Sequence, residues 1–132
     1  MPDAAAHPPA VTGALRALLR AEGMAEFLLL ILLYERVGGP WWLFAVLFLT
    51  PDLSFMGYLA GPRVGAVAYN AAHAVLAPAL LGTGALVGGW PLGVSLALIW
   101  AAHIQFDRAL GYGLKYASGF GDTHLGRIGK VA

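Results

Sequence analysis

Seven strongly polar side chains stand inside segments that are otherwise apolar enough to cross a membrane. They are Glu22, Glu26, Asp52, Asn70, His73, His103 and Asp107. Imidazole and carboxylate groups bind Zn²⁺ and similar divalent ions, and they also carry protons in acid–base catalysis and in proton relays. Because a charged group is costly in hydrocarbon, each of these residues is a candidate for function.

The spacing of the polar residues places several of them on shared helix faces. Three pairs have four-residue spacing: Glu22 and Glu26, Tyr69 and His73, and His103 and Asp107. Residues at i and i+4 lie on one face of an α-helix, and residues at i and i+3 lie close to it. Asn70, three residues before His73, therefore belongs to the same face. We expect these faces to point into a protein interior, because lipid would expel or neutralise a carboxylate.

The composition predicts an integral membrane protein. Of the 132 residues, 59% are hydrophobic and 11% are charged, and the mean hydropathy is +0.72. An average soluble domain is about 25% charged. The formal charge of +1 gives no case for a nucleic-acid partner, and the lack of cysteine excludes thiolate chemistry.

Glycine and proline clusters divide the chain into four apolar segments. The segments cover about residues 15–36, 40–60, 64–88 and 91–115, and each is near the ~20 residues that a spanning helix needs. Helices satisfy backbone polar groups in lipid, so the prediction is an all-α protein, an integral membrane four-helix bundle over residues 15–116. Residues 1–14 are predicted to be a disordered leader, and residues 117–132 a polar cytoplasmic tail.

Basic residues predict the orientation of this bundle. Seven of the eight lysines and arginines fall on one side of a four-span arrangement, and only Arg36 falls on the other. Cytoplasmic loops carry the excess of lysine and arginine, so both termini are expected in the cytoplasm. Trp41, Trp42 and Trp90 would then mark the outer interface, where indole rings prefer to lie.

Depth along each helix predicts that the polar residues form one layer. At ~1.5 Å per residue, they lie roughly 9–18 Å from the cytoplasmic ends of all four segments. We therefore predict a shared buried site in the cytoplasmic half of the bundle. Tyr69 and Arg108 belong to the same polar layer, and His124 would join it if the tail folds back over the cytoplasmic mouth.

Small residues and prolines mark places where the helices approach or bend. Glycines recur at four-residue spacing, as Gly57/Gly61/Gly65 and as Gly84/Gly88. Such spacing lets helices pack closely, either within one chain or across a homodimer interface. Pro51 and Pro78 each remove a helical hydrogen bond beside the polar layer, which frees the carbonyls of Leu47 and Ala74.

Several short strings of residues resemble one protein family. The strings are WWLF (41–44), PDLS (51–54), GYLAGPRVG (57–65), YNAAH (69–73), HIQFDRALGYGLKY (103–116) and DTHLG (122–126). Together they resemble the DUF4260 family of small bacterial membrane proteins, over nearly the whole chain from about residue 15. The resemblance implies a four-span protein of a bacterial inner membrane and brings no catalytic residues to transfer.

The first functional hypothesis is a metal-dependent membrane enzyme, hydrolase-like, acting on a lipid-like substrate. His73, His103 and Asp107 would bind a divalent metal ion such as zinc, which makes a bound water nucleophilic. Asp52 would be a fourth ligand or an orienting catalytic group, and Glu26 would be the general base. Multi-span metal-dependent membrane hydrolases are similar in combining a Pro-Asp motif with histidines in later helices. Here Leu53 and Ser54 follow the Pro-Asp motif, where a second acidic residue would supply a further ligand.

Two other hypotheses remain open at the level of sequence. One is a small-ligand binder or proton-coupled carrier, since chains of Asp, Glu and His build proton relays in membranes. Four helices are few for a carrier, so this hypothesis requires a homodimer. The other is a structural bundle with buried ion pairs, in which acids pair with Arg20, Arg63 or Arg108, although the acids and histidines outnumber these arginines.

Overall fold

The computed structural model describes residues 8–128, which form α-helices, one 3₁₀ helix and a short β-hairpin. The α-helices are α1 Gly13–Val37, α2 Trp41–Leu47, α3 Pro62–His73, α4 Leu76–Val87 and α5 Pro91–Leu110; the 3₁₀ helix is Thr50–Ala60, and the strands are β1 Asp122–Thr123 and β2 Gly126–Arg127. The prediction of an all-helical protein is confirmed. Residues 1–7 of the predicted leader and residues 129–132 of the predicted tail lie outside the described residues.

The second predicted segment, 40–60, is divided into α2 and the 3₁₀ helix rather than forming one α-helix. Pro51 lacks the N–H that would continue the α-helical pattern. The carbonyl of Leu47, which would have received that N–H, accepts a hydrogen bond of 2.6 Å from the hydroxyl of Thr50. The proline therefore changes the type of helix just before Asp52.

The third predicted segment, 64–88, is divided in the same way into α3 and α4. Ala74 lies between them in an extended conformation, with φ −87° and ψ 140°. The ring of a proline clashes with the carbonyl four residues earlier in a continuous helix, and Ala74 is four residues before Pro78. The break makes His73 the last residue of α3 and leaves its carbonyl free for Arg108, whose Nη2 donates to it at 3.1 Å.

Helix α5 is the central element of the fold. It packs against both α1 and α4, while the 3₁₀ helix packs against α3. The crossing of α1 and α5 is close at Gly23, where a Cβ atom would lie 2.8 Å from Cβ of Arg108 and 3.0 Å from the backbone nitrogen of Ala109. Helix α5 also ends at Leu110, five residues earlier than the predicted segment 91–115.

Two of the spaced glycines are used inside the chain. A Cβ atom on Gly65 would lie 2.3 Å from the ring of Tyr58, and one on Gly57 would lie 2.8 Å from Cβ of Ala68. These contacts hold the 3₁₀ helix against α3. Gly61 turns the chain between them with φ +114°, whereas Gly84 has open space around it. The homodimer stays a prediction.

Much of the outer surface is apolar. The segments Trp41–Ala60 and Pro62–Val87, of 20 and 26 residues with mean hydropathies of 1.6 and 1.5, are long and apolar enough to cross a membrane. Leu59 and Val87 are 88% and 85% exposed. Length and composition indicate a membrane location only weakly, since a core helix of a soluble protein meets the same criteria.

The two ends of the described chain meet at one end of the bundle. Near the start of α1, Arg16 donates to the carbonyl of Leu125 and Arg20 donates to the carbonyl of Ala109. The backbone nitrogen of Val11 donates to the carbonyl of His124 at 2.8 Å. The tail therefore folds back over the end of the bundle where α5 finishes.

Candidate metal centre

Four of the polar residues singled out in the sequence meet at one point. Asp52 comes from the first turn of the 3₁₀ helix, His73 from the end of α3, and His103 and Asp107 from successive turns of α5. One nitrogen or oxygen atom from each of them lies within 4.8 Å of all the others. Three separate elements, which are far apart in sequence, therefore supply one cluster.

Five of the six distances within this cluster are nearly equal. Nε2 of His73 and Nε2 of His103 are 3.1 Å apart, and each is 3.2 Å from Oδ1 of Asp52. Oδ2 of Asp107 lies 3.4 Å from Nε2 of His73 and 3.3 Å from Nε2 of His103. Five of the six separations among the four atoms thus fall between 3.1 and 3.4 Å.

These five separations are close to those between neighbouring ligand atoms of a zinc site. Zinc binds imidazole nitrogen and carboxylate oxygen at about 2.0–2.1 Å, so the edges of an ideal tetrahedron around it are about 3.3–3.4 Å. Five of the six separations are close to these edges, and the sixth, between the carboxylates of Asp52 and Asp107, is within 4.8 Å. Two imidazoles with two carboxylates are a donor set that zinc and related divalent ions accept. The residues fit a metal ion at their centre.

The tautomer of His73 points to the same conclusion. Its Nδ1 lies 2.9 Å from the carbonyl oxygen of Tyr69, and a carbonyl only accepts, so Nδ1 carries the proton. In the neutral ring, Nε2 then presents a lone pair toward the oxygen of Asp52. A hydrogen bond from the ring nitrogen that faces away from the metal is how proteins orient a metal-binding histidine, and a cation would relieve the repulsion between the converging lone pairs.

Aromatic rings hold the two imidazoles in place. The ring of Tyr69 stacks on His73 with centroids 3.8 Å apart, and the ring of Phe48 meets His103 edge-on at 5.5 Å. Both histidines are 1% exposed. Nδ1 of His103 is buried without a hydrogen-bond partner among the described residues, so its ring is oriented by stacking, by burial and by the contacts of Nε2 within the cluster.

The cluster opens to a cavity on its carboxylate side. The side chain of Asp52 is 35% exposed and that of Asp107 is 13% exposed. Both line a cavity of ≈ 260 Å³, together with Tyr69, Tyr112 and Lys115. A bound metal would therefore have protein on the histidine side and accessible space on the carboxylate side.

A second and larger cavity lies behind the cluster. It has a volume of ≈ 550 Å³ and is lined mainly by apolar side chains, including Leu81, Leu96 and Trp100. Its hydroxyl groups are already bonded, because Thr50 donates to the carbonyl of Leu47 and Ser54 donates to that of Pro51. This cavity therefore offers an apolar surface to an occupant.

Glu22 and Glu26 do not join the cluster. Both are exposed on α1 and line a separate cavity of ≈ 200 Å³ with Gln105, Arg108 and His124. The expectation that all four predicted helices would supply one layer is wrong in this respect, because α1 brings Gly23 against α5 and leaves its carboxylates at the side of that contact. The role of Glu26 as general base stays a prediction.

The other predicted residues of the polar layer position the site. Nδ2 of Asn70 donates to the carbonyl of Lys115 at 2.8 Å, and Oδ1 of Asn70 accepts from the nitrogen of Lys115 at 2.7 Å. Arg108 donates to the carbonyls of His73 and Tyr112. His124 accepts at Nδ1 from the nitrogen of Leu114 at 2.8 Å, so it holds the tail in place.

Lys115 is the residue near the cluster that the sequence analysis did not single out. It is 4% exposed, although its position after an apolar segment is typical of an interfacial lysine. Burial lowers the pKa of the Lys115 ammonium to about 8, against the opposing effect of Asp107. Burial and the nearby Arg108 also lower the pKa of His124. The one feature of the sequence that could have indicated Lys115 is its place in the same string, residues 103–116, as His103 and Asp107.

We predict that Asn70→Ala loosens the connection between α3 and the tail. The substitution removes the two hydrogen bonds that the side chain of Asn70 makes to the backbone N–H and carbonyl of Lys115. We expect the free energy of unfolding to fall by about 1–2 kcal/mol. Faster proteolysis of the tail would accompany this loss. Ser118→Ala, which removes an exposed hydrogen bond to Asp122, is the control and should change neither quantity.

The comparisons with known proteins place the chain in a family. No curated protein and no solved structure matches it. Residues 16–128 match a family described as a domain of unknown function, DUF4260. The match covers most of the chain and includes all four residues of the cluster, which confirms the resemblance seen in the sequence. The chain belongs to the DUF4260 family.

Proposed function

We propose that this protein is a metal-dependent membrane enzyme that binds one zinc-like divalent ion at Asp52, His73, His103 and Asp107. The observation that carries the proposal is the convergence of four donor atoms within 4.8 Å of one another, with five of their six separations at 3.1–3.4 Å. Four such atoms meet at the junction of three elements, where their lone pairs repel each other unless a cation or protons neutralise them.

A location in the membrane is supported by the apolar surface and by the position of the charges. The two apolar segments are long enough to span. Arg16 and Arg20 meet the tail at the end of α5, while Trp41 and Trp90 are partly exposed on segments that begin at the opposite end of the helices. By the positive-inside rule, we propose that the end with the arginines and both termini faces the cytoplasm of a bacterium.

A hydrolytic reaction is supported by the open side of the cluster. Catalytic zinc sites keep a coordination position for water, and the metal lowers the pKa of that water to about 7. Because four protein donors would already complete a tetrahedral shell, a catalytic water would enter here as a fifth ligand or in place of Asp52, whose side chain is 35% exposed. Here the cavity beside Asp52 and Asp107 supplies room for a water and a substrate. In hydrolysis the water oxygen forms the new bond, the bond to the leaving group breaks, and the leaving group takes one proton from the water.

A lipid-like substrate is supported by the second cavity. Its volume of ≈ 550 Å³ lies within the range of about 300–1,000 Å³ that is usual for small-molecule sites. Pro51 and Ala72, which line it, directly precede Asp52 and His73. An acyl chain in this cavity would end close to the metal.

Metal analysis of the full chain in detergent tests the proposal. We expect about one divalent ion per chain by inductively coupled plasma mass spectrometry, and metal-dependent cleavage of a short-chain lipid ester or phosphoester. Asp107→Asn should lose both properties, because it removes a charged ligand. Glu35→Gln, which changes an exposed carboxylate on α1 bonded to Trp41, should keep both. A folded, active and metal-free wild type would overturn the assignment.

A homodimer is a separate proposal. Gly84 in α4 has open space around it, and with Gly88 it forms a small-residue pair of the kind that lets two helices approach in a membrane. Light scattering in detergent would give the mass of the assembly. A carrier, which would require this dimer, has no further observation in its favour.

A further inference from the structure

Lys115 is a buried cation that forms no ion pair within the described residues, although the carboxylate of Asp107 acts on it electrostatically. Its Nζ donates to the carbonyl of Phe120 at 2.7 Å and lies over the rings of Phe120 and Tyr69, at 3.8 and 4.7 Å from their centroids. No carboxylate of residues 8–128 forms an ion pair with it. A lysine this deeply buried is usually paired, because removing an ammonium from water is costly.

The same side chain lines the cavity that opens on the cluster. Lys115 shares this cavity with the carboxylates of Asp52 and Asp107. An ammonium group has three donors, and one of them is used by the carbonyl of Phe120. Its other two N–H groups make no hydrogen bond within the described residues, so an occupant of the cavity could accept from them.

The position of Lys115 is fixed relative to the cluster. Its backbone makes two hydrogen bonds to the side chain of Asn70, and Asn70 is one turn before His73 on α3. An isolated β-bridge to Thr123 holds the same residue on its other side. The ammonium is therefore held by the fold near the carboxylate side of the cluster.

The charges around the cavity favour an anion. With the proposed divalent ion bound, that ion, the two carboxylates and two neutral imidazoles would sum to zero charge, whereas without it the two carboxylates would outweigh the charge of Lys115. Lys115 then adds one positive charge, which the folded protein leaves unmatched within the described residues. The cavity of ≈ 260 Å³ is smaller than the usual site for a whole drug-sized molecule, at roughly 300 Å³ or more, so it suits a compact charged group.

We propose that this cavity binds a phosphate group, with one oxygen toward the metal at Asp52 and Asp107 and another accepting hydrogen bonds from Lys115. Phosphate presents several acceptor oxygens at once, and lysine is a common partner for it. The inference rests on the proposed function and specifies its substrate class as a phosphate-bearing molecule. Lys115 acts here as a binding residue that selects for the anionic group.

Phosphate binding to the zinc-loaded full chain in detergent tests this site. Inorganic phosphate should bind to the wild type, and Lys115→Met should weaken it roughly 10-fold or more, the loss expected for one charged hydrogen bond. Lys115→Arg, which keeps the charge, should restore part of the affinity. Arg63→Gln, which removes an exposed arginine, is the matched control and should bind as the wild type does.

The metal content of each variant separates this inference from the proposed function. If the Lys115 variants keep one ion per chain and bind phosphate as tightly as the wild type, the phosphate site is wrong and the metal centre stands. If the wild type holds no metal and still binds phosphate through Lys115, the metal centre and the contact of phosphate with the metal are wrong, and only the contact with Lys115 stands. If phosphate binds neither the wild type nor the Lys115 variants, the inference is wrong.

A measurement without any substitution covers the case in which Lys115→Met does not fold. In wild type loaded with Mn²⁺, the ³¹P signal of inorganic phosphate should broaden, because the phosphorus lies beside the paramagnetic ion. An unchanged signal at saturating phosphate would contradict the proposed position. A short-chain phosphatidic acid that competes more strongly than inorganic phosphate would identify a lipid headgroup as the source, whereas equal competition would identify free phosphate.

Discussion

His73→Ala and His103→Ala are expected to bind a divalent metal ion at least ~100-fold more weakly than the wild type. Loss of a residue that only hydrogen-bonds to a metal ligand typically costs about 10–100-fold in metal affinity, and these substitutions remove the ligands themselves. Each one leaves three donors of the tetrahedral set. We expect purified variants to contain less than one ion per chain, measured by mass spectrometry after dialysis against a weak chelator.

Thermal unfolding gives a second measurement on the same samples. A ligand that binds only the folded state raises its stability by about 2.7 kcal/mol at 100 times the dissociation constant. Added zinc should therefore raise the Tm of metal-stripped wild type and leave that of His73→Ala unchanged. His124→Gln is the matched control, because His124 contacts the backbone of Leu114 and lies outside the cluster. Zinc that stabilises His73→Ala and the wild type equally would contradict the metal centre.

Gly65→Ala is expected to destabilise the protein by about 2–3 kcal/mol, within the usual cost of overpacking. The new Cβ would lie 2.3 Å from the ring of Tyr58, so either the ring or the whole 3₁₀ helix must move. Because this helix carries Asp52 and α3 carries His73, a shift between them would also weaken metal binding. Thermal unfolding in detergent and metal content measure both effects.

Gly84→Ala is the control for that substitution. It lies inside α4 with open space around it, and replacing glycine by alanine inside a helix typically stabilises it by about 0.5–1 kcal/mol. The two glycine variants should therefore change stability in opposite directions. If Gly65→Ala is as stable as the wild type, the close contact with Tyr58 does not exist. A change in oligomeric mass in Gly84→Ala alone would support the proposed homodimer.

Local chemistry explains why much of the fold was predictable. The apolar segments and their glycine and proline boundaries are properties of consecutive residues, so α1 and the start of α5 lie close to their predicted positions. The free carbonyl of Leu47 was also predictable, since Pro51 has no N–H to donate to the carbonyl four residues before it. Whether each proline would kink its helix or divide it in two was less predictable, because the outcome depends on how the neighbouring helices pack around the proline.

Convergence of the site was predictable only in part. Four-residue spacing places His103 and Asp107 on one face whatever the surroundings, and depth placed Asp52 and His73 at a similar level. Depth, however, does not define which face of α1 meets α5. Gly23 decides that contact, and it leaves Glu22 and Glu26 exposed beside it.

The sequence by itself determined that this is an apolar, helical member of its family with histidines and carboxylates at matching depths. Those properties follow from residue types and from the period of a helix. The tertiary structure alone decided which donors meet within hydrogen-bond distance, which tautomer His73 adopts, and that Lys115 is buried beside the same cavity. Such contacts depend on helix rotation and on the path of the tail, which are set by close packing between residues distant in sequence.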